Sequence, residues 1–170
     1  ETAITLIKQA LNISPNQLNY LHNLANILKE SGQFEEAVKV YGQVIQLQPG
    51  SAETYNNLGI SLYKLNQFQS AAQAYYDAIE LNSECAEAYY NFGTLLQKQG
   101  ELDEALQLYQ KAVEIDPNFV LAYGNLGDVL HHQGQIEQAI QAYRRAIEIQ
   151  PNYAKAHNHL GITLLLKGDF

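Results

Sequence analysis

The stretch AEAYYNFGTLLQKQGELDEALQLYQKAVEIDPNF, residues 86–119, decides the fold. Tyr89, Phe92, Gly93 and Leu96 stand at i, i+3, i+4 and i+7, a spacing that puts them on one face of a helix. Gly100 supplies the left-handed backbone that commonly follows a helix. A second amphipathic helix carries Ala105, Tyr109 and Ala112, and Pro117 stops it. The pattern recurs along almost the whole chain. Gly59, Gly93, Gly127 and Gly161 stand 34 residues apart, and so do Ala3, Ala37, Ala71, Ala105 and Ala139. Self-similarity at a fixed period of this size is the signature of a solenoid, in which each unit packs only on its neighbours.

The period divides the chain. Residues 1–17 read as the second helix of a partial repeat, with Ala3, Ile4, Ile7 and Leu11 at helical spacing and Pro15 ending it. Full repeats follow at 18–51, 52–85, 86–119 and 120–153, and 154–170 read as the first helix of a further repeat. Turns are expected at Gly32, Asn66, Gly100, Gly134 and Gly168. Each is followed two residues on by an apolar residue that begins a second helix: Phe34, Phe68, Leu102, Ile136 and Phe170. Ser83 replaces the expected proline at one junction, which predicts a looser link there. Glycine in mid-helix costs about 1 kcal/mol against alanine, so its return at one phase implies close helix packing. Ala105 is expected as the nearest neighbour of Gly93.

These residues resemble the tetratricopeptide repeat, whose pattern is W-x₂-L-G-x₂-Y, then A-x₃-F, then P, at period 34. Tyr89, Phe92, Gly93, Leu96, Ala105, Tyr109 and Pro117 fall on its seven positions in the third repeat, with Tyr and Phe standing for Trp and Leu, Leu for the first Tyr, and Tyr for Phe. Leu21 and His157 at the first aromatic position, Asn66 for Gly and Ser83 for Pro are the departures. The resemblance covers all 170 residues. It implies an all-α, TPR-type α-solenoid: a right-handed superhelix of antiparallel helix pairs, with first helices lining the concave face. It also implies binding of peptides or other proteins.

Composition narrows the function classes. The net charge is −8, and the ten Lys and Arg residues are scattered, which argues against nucleic acid and anionic membrane as partners. No apolar run approaches the roughly 20 residues of a membrane span, and no signal peptide is visible. One cysteine rules out an internal disulfide and suits a reducing, cytoplasmic setting. The chain contains no Met at all and is expected to be cut from something longer. No phosphate loop, nucleophile elbow or paired metal motif appears, so neither catalysis nor a cofactor is expected. Asp103-Glu104 and Glu35-Glu36 read as helix starts, where acidic residues favour the dipole.

One phase of the first helices is unusually uniform: Asn23, Asn57, Asn91, Asn125, then His159. An amide offers an acceptor and donors together and can pair with both groups of a peptide backbone. Neighbouring helices lie roughly 8–10 Å apart and an extended chain rises about 3.3 Å per residue, so one Asn would meet a bound strand about every third residue. This is similar to the asparagine ladder in the repeat superhelix of the O-linked N-acetylglucosamine transferases. A polar residue beside the packing stripe also needs no ligand, and both readings stand at this point. Flanking candidates are Asn26, Lys29, Tyr63, Tyr90 and Asp128, with His22, Gln97, His131 and Lys155 nearby. Tyr63 and Tyr90 are candidates to grip an apolar ligand side chain.

Two sharper readings are weaker. The carboxylate clamp of chaperone-binding repeats would fall on His22, Asn26, Asn57, Glu87 and Asn91, which keeps two Asn and loses all three cations. His131, His132, His157 and His159 invite a metal, but His157 is expected in a packing position and His159, two residues on, points to a different face. The leading expectation is a module that holds an extended protein segment along its groove. The alternative is the substrate-presenting arm of a larger enzyme such as a glycosyltransferase. Apolar faces on the first and last helices also predict head-to-tail self-association, with Glu1 and Phe170 marking the phase of the junction.

Overall fold

The computed structural model describes residues 2–168, so the readings at Glu1 and Phe170 lie outside the described residues. Among these there are ten α-helices and no strand: α1 (Ala3–Ile13), α2 (Leu18–Glu30), α3 (Phe34–Leu47), α4 (Ala52–Lys64), α5 (Phe68–Leu81), α6 (Ala86–Gln99), α7 (Leu102–Ile115), α8 (Val120–His132), α9 (Ile136–Ile149) and α10 (Ala154–Lys167). The chain divides into two compact units, residues 1–88 and 89–170, and the division falls inside α6.

Local chemistry sets the helix ends. The Ser51 hydroxyl caps α4 by accepting the Thr54 N–H at 3.2 Å. First helices close on one recurring device. The turn residue is left-handed, Asn66 at φ +58° where the other turns have glycine. The next N–H then reaches back to a leucine carbonyl: Gln33 to Leu28 at 2.8 Å, Gln67 to Leu62 at 2.9 Å, Glu101 to Leu96 at 3.0 Å and Gln135 to Leu130 at 2.9 Å. This is a Schellman closure, and it satisfies carbonyls that the helix itself leaves unpaired.

In the first unit α1 to α5 pack in chain order, and α2 also touches α4 directly. Turns this short make consecutive helices antiparallel. The core joins Leu21, Leu24 and Leu28 of α2 to Val40, Tyr41 and Val44 of α3, with Ile4, Ile7 and Leu11 of α1 laid against it. In the second unit α7 to α10 pack in the same order, and α8 touches α10. Its core holds Tyr109, Leu126, Val129, Leu130, Tyr143 and Ala146.

One contact recurs within both units. Tyr41, Tyr75, Tyr109 and Tyr143 are the largest fully buried side chains, one from each complete second helix. A Cβ placed on Gly59 would lie 2.5 Å from the Tyr75 ring, and one on Gly127 would lie 2.5 Å from the Tyr143 ring. The expected neighbour of Gly93 needs correcting. Ala105 is fully buried, but a Cβ on Gly93 would first meet Tyr109 Cε1, at 2.9 Å. The gap left by the glycine is filled by a ring from one turn further along the helix, which a methyl group could not fill.

Gly127→Ala is therefore expected to destabilise the protein by about 1–3 kcal/mol, because the Tyr143 ring is enclosed and cannot move aside cheaply. Gly161→Ala is the control. It sits at the same phase in α10 with nothing within 4 Å of the added Cβ, so alanine should stabilise by up to about 1 kcal/mol. Chemical denaturation of the two variants checks the opposite signs.

Candidate functional site

In the first unit the ladder position on α4 is tied into its surroundings. Asn57 is 8% exposed. Its Oδ1 accepts from Lys29 Nζ at 2.8 Å, and its Nδ2 donates to Asn26 Oδ1 at 3.4 Å. Asn26 Oδ1 also accepts the buried Tyr41 hydroxyl at 2.7 Å. Asn23 is exposed on α2. Beside them opens a cleft of about 460 Å³, lined by Asn26, Lys29, Glu53, Asn56, Asn57 and Glu87 among others. Cys85 reaches the same cleft. Burial pushes its thiol up, and the neighbouring Glu87 carboxylate pushes it further, so it is held as the protonated, unreactive form. Tyr63 packs on Phe68 with ring centres 5.9 Å apart.

The second unit carries a longer polar chain. Gln97 Oε1 accepts the Tyr109 hydroxyl at 2.7 Å, and that hydroxyl accepts from Asn125 Nδ2 at 3.2 Å. Asn125 Oδ1 accepts from Lys155 Nζ at 2.8 Å. Lys155 also pairs with Asp128 Oδ2 at 2.7 Å. Asp128 Oδ1 accepts both the Tyr143 hydroxyl, at 2.9 Å, and His159 Nδ1, at 2.6 Å. The ladder positions Asn125 and His159 and the flanking Asp128 thus belong to one network. Asn91 is half-buried on α6. Tyr90 is half-buried against Phe119 and Tyr109, at 5.0 and 5.9 Å between ring centres, so part of its face already serves packing. A second cleft, of about 330 Å³, lies against Asp128, His131, Tyr143, His159, Ile162 and Thr163.

His157 does not take the packing position expected of it. It is exposed, and Nε2 donates to the Pro151 carbonyl at 2.8 Å. Among the described residues no three His, Cys, Asp or Glu side chains converge in a way that could hold a metal ion.

The sequence reading passed over the hydroxyls. Helix spacing marks Tyr109 as a packing residue, yet Tyr41, Tyr109 and Tyr143 each carry a polar group through to the first-helix face. The signal was present: tyrosine stands in each of the four full repeats where the family pattern has phenylalanine. Burial raises all four phenols, Tyr109 to about 12. Tyr41 and Tyr75 rise further by the same cause, and Tyr143 further still with the Asp128 carboxylate beside it.

Antiparallel helix pairs at a 34-residue period, with open clefts on the first-helix side, define a helical-repeat scaffold. The chain belongs to the tetratricopeptide-repeat family: "TPR repeat" matches residues 25–66, 93–134 and 127–168, and "Tetratricopeptide repeat" matches 52–85 and 6–39. Among solved structures it is similar to MamA, at 31% identity over 90% of each chain with a TM-score of 0.80. MamA from Desulfovibrio magneticus RS-1 is 26% identical over 89% of this chain and 86% of that one, with a TM-score of 0.79. YrrB, a TPR protein with an unusual peptide-binding site, shares the fold at 24% identity and a TM-score of 0.77, over 98% of this chain and 86% of its own. No curated protein sequence matches the chain.

The raised phenols predict an alkaline limit. Ordinary tyrosine ionises near 10 and folded Tyr109 near 12. This contribution to stability is fully present below pH 10 and is lost as pH rises through about 12. In an absorbance titration the buried phenols should ionise together with loss of helicity, well after those of the denatured chain. A single smooth titration near 10, with helicity intact, would contradict it.

Proposed function

We propose that the protein is an interaction module that holds an extended protein segment against the first-helix face of each unit. The observation that carries this reading is the position of the clefts. The first is walled by α2, α4 and the start of α6, the second chiefly by α8 and α10, so both open where successive first helices lie side by side. Of the ladder amides, Asn57 lines the first cleft. Lys29 and Lys155 orient Asn57 and Asn125 by holding one side of each amide oxygen. An amide has two acceptor sites and two donors. A backbone could therefore add to these bonds without displacing them. Asn23, Asn57, Asn91, Asn125 and His159 supply the backbone pairing in this reading, and Asn26, Lys29, Tyr63, Tyr90 and Asp128 supply selectivity. Nothing in the clefts supplies an activated nucleophile, and a reducing, cytoplasmic setting suits the free thiol of Cys85.

Peptides selected from a random display library should bind this face and lose about tenfold or more in affinity, roughly 1.4 kcal/mol, when Asn23, Asn57, Asn91 and Asn125 are together replaced by Ala. Circular dichroism must show the variant still helical. Unchanged affinity, or selected peptides that map to second-helix surfaces, would overturn the ladder.

We also propose that α1 and α10 can bring copies together. Leu6 and Ile13 on α1, and Ile162, Leu165 and Leu166 on α10, are exposed large apolar side chains. A head-to-tail contact of this kind does not close and extends into filaments. Light scattering should show mass rising with concentration, and Leu165→Glu with Leu166→Glu should abolish the rise. A mass that stays monomeric throughout would remove the idea.

A further inference from the structure

Hydrogen bonding assigns the proton of two imidazoles in the second unit. Thr163 is fully buried, and its one hydroxyl proton goes to the His159 carbonyl at 2.7 Å. The Thr163 oxygen must therefore accept at its other short contact, 2.9 Å from His131 Nδ1. That makes His131 Nδ1 the protonated nitrogen. His159 Nδ1 faces a carboxylate oxygen of Asp128 at 2.6 Å, and an ionised carboxylate only accepts. His159 Nδ1 therefore carries its proton too. In a neutral imidazole the second nitrogen is then a bare lone pair. Neither Nε2 has a protein partner among the described residues. Both rings line the cleft of about 330 Å³, within the range of roughly 300–1,000 Å³ usual for ligand sites.

The wall of this cleft thus carries three acceptors, His131 Nε2, His159 Nε2 and the Asp128 carboxylate, with the Gln97 amide and the His132 ring also on it. Lys155, which pairs with Asp128, is not on the wall. Ile162, 46% exposed, offers an apolar strip beside them. The complement of such a wall is a group with several N–H donors, a positive charge and an apolar stem. We propose that this cleft receives an arginine side chain of the bound segment: its planar fork of five donors meets the two imidazoles and the carboxylate, and its methylenes lie on Ile162. Among the described residues no three of these groups converge as a metal would need. This assignment rests on the reading of the first-helix face given above and adds the chemistry of one residue of the ligand.

The test uses the intact protein at about pH 8, in chelator, above the ordinary range of imidazole ionisation. Long-range nitrogen–proton spectra should first show both His131 and His159 protonated on Nδ1. A capped Ser-Gly-Arg-Gly-Ser peptide and its Glu and norleucine versions are then titrated. The Arg peptide should shift both Nε2 resonances with a Kd on the order of 1 mM, at least about fivefold tighter than either control. Asp128→Asn should weaken the Arg peptide alone. If that variant fails to fold, the contrast among the three peptides on the wild-type chain still decides. Equal or tighter binding of the Glu or norleucine peptide, no shift at either ring, or the opposite tautomer at either ring would overturn the proposal. Library peptides that contact Asn57 and Asn125 but carry no arginine and leave both rings unmoved would refute this pocket and spare the wider reading. Library peptides that never reach the first-helix face would refute the wider reading.

Discussion

The contact between a second-helix tyrosine ring and a first-helix glycine is the constraint from which the rest follows. Removing one Cβ opens a gap wide enough for a ring, and Tyr75, Tyr109 and Tyr143, all buried, fill it at Gly59, Gly93 and Gly127. Burying such a ring contributes on the order of 2–3 kcal/mol. It also creates an obligation. A phenol carries its hydroxyl at the far end of the ring, and a buried hydroxyl without a partner costs much of what the ring gained. The second helix therefore requires a polar side chain on the first-helix side, and Asn26, Gln97 and Asp128 meet that need.

That requirement couples the packing to the surface. Asn26 accepts from Tyr41 and also from Asn57, so the residue that satisfies the phenol also orients the ladder amide. In the second unit the link is more direct, since Asn125 donates to the Tyr109 hydroxyl itself. These two ladder positions are consequently not a free row of amides. Each has its oxygen held by a lysine and its nitrogen donating toward the tyrosine side. Groups held in place in this way lose little side-chain entropy on binding, which favours a ligand that adds bonds over one that must rearrange them.

The period of 34, the turn residues and the glycine phase were enough to read the all-α repeat fold from the sequence, because helix spacing and left-handed turns are local rules. Which atom fills a gap is not local. Ala105 was assigned to Gly93 from phase alone, and only the reach of the Tyr109 ring reverses that assignment. The same limit hid the site's chemistry. Asp128 reads in sequence as one acidic residue on a helix face. Its character comes from Tyr143, Lys155 and His159, which lie 15 to 31 residues away and meet it through packing. His157 shows the converse, since its place in the repeat pattern predicted packing and a nearby carbonyl drew it outward instead.

The position that answers the tyrosine is where the repeats differ most in chemistry. Asn26 answers Tyr41, Gln97 and Thr94 answer Tyr109, and Asp128 answers Tyr143. The ring packing beneath differs little between Tyr109 on Gly93 and Tyr143 on Gly127, because it depends on the glycine and on the shape of the tyrosine. The polar surroundings above change sharply. A neutral amide at 26 gathers another amide, whereas a carboxylate at 128 draws in an ammonium and an imidazole. Charge-assisted bonds are stronger and more directional than neutral ones, so Asp128 also fixes which imidazole nitrogen is left facing the cleft. Packing and surface polarity thus meet at opposite ends of one side chain. Tyrosine holds the ring position in each full repeat, and the acceptor opposite its hydroxyl differs among Tyr41, Tyr109 and Tyr143.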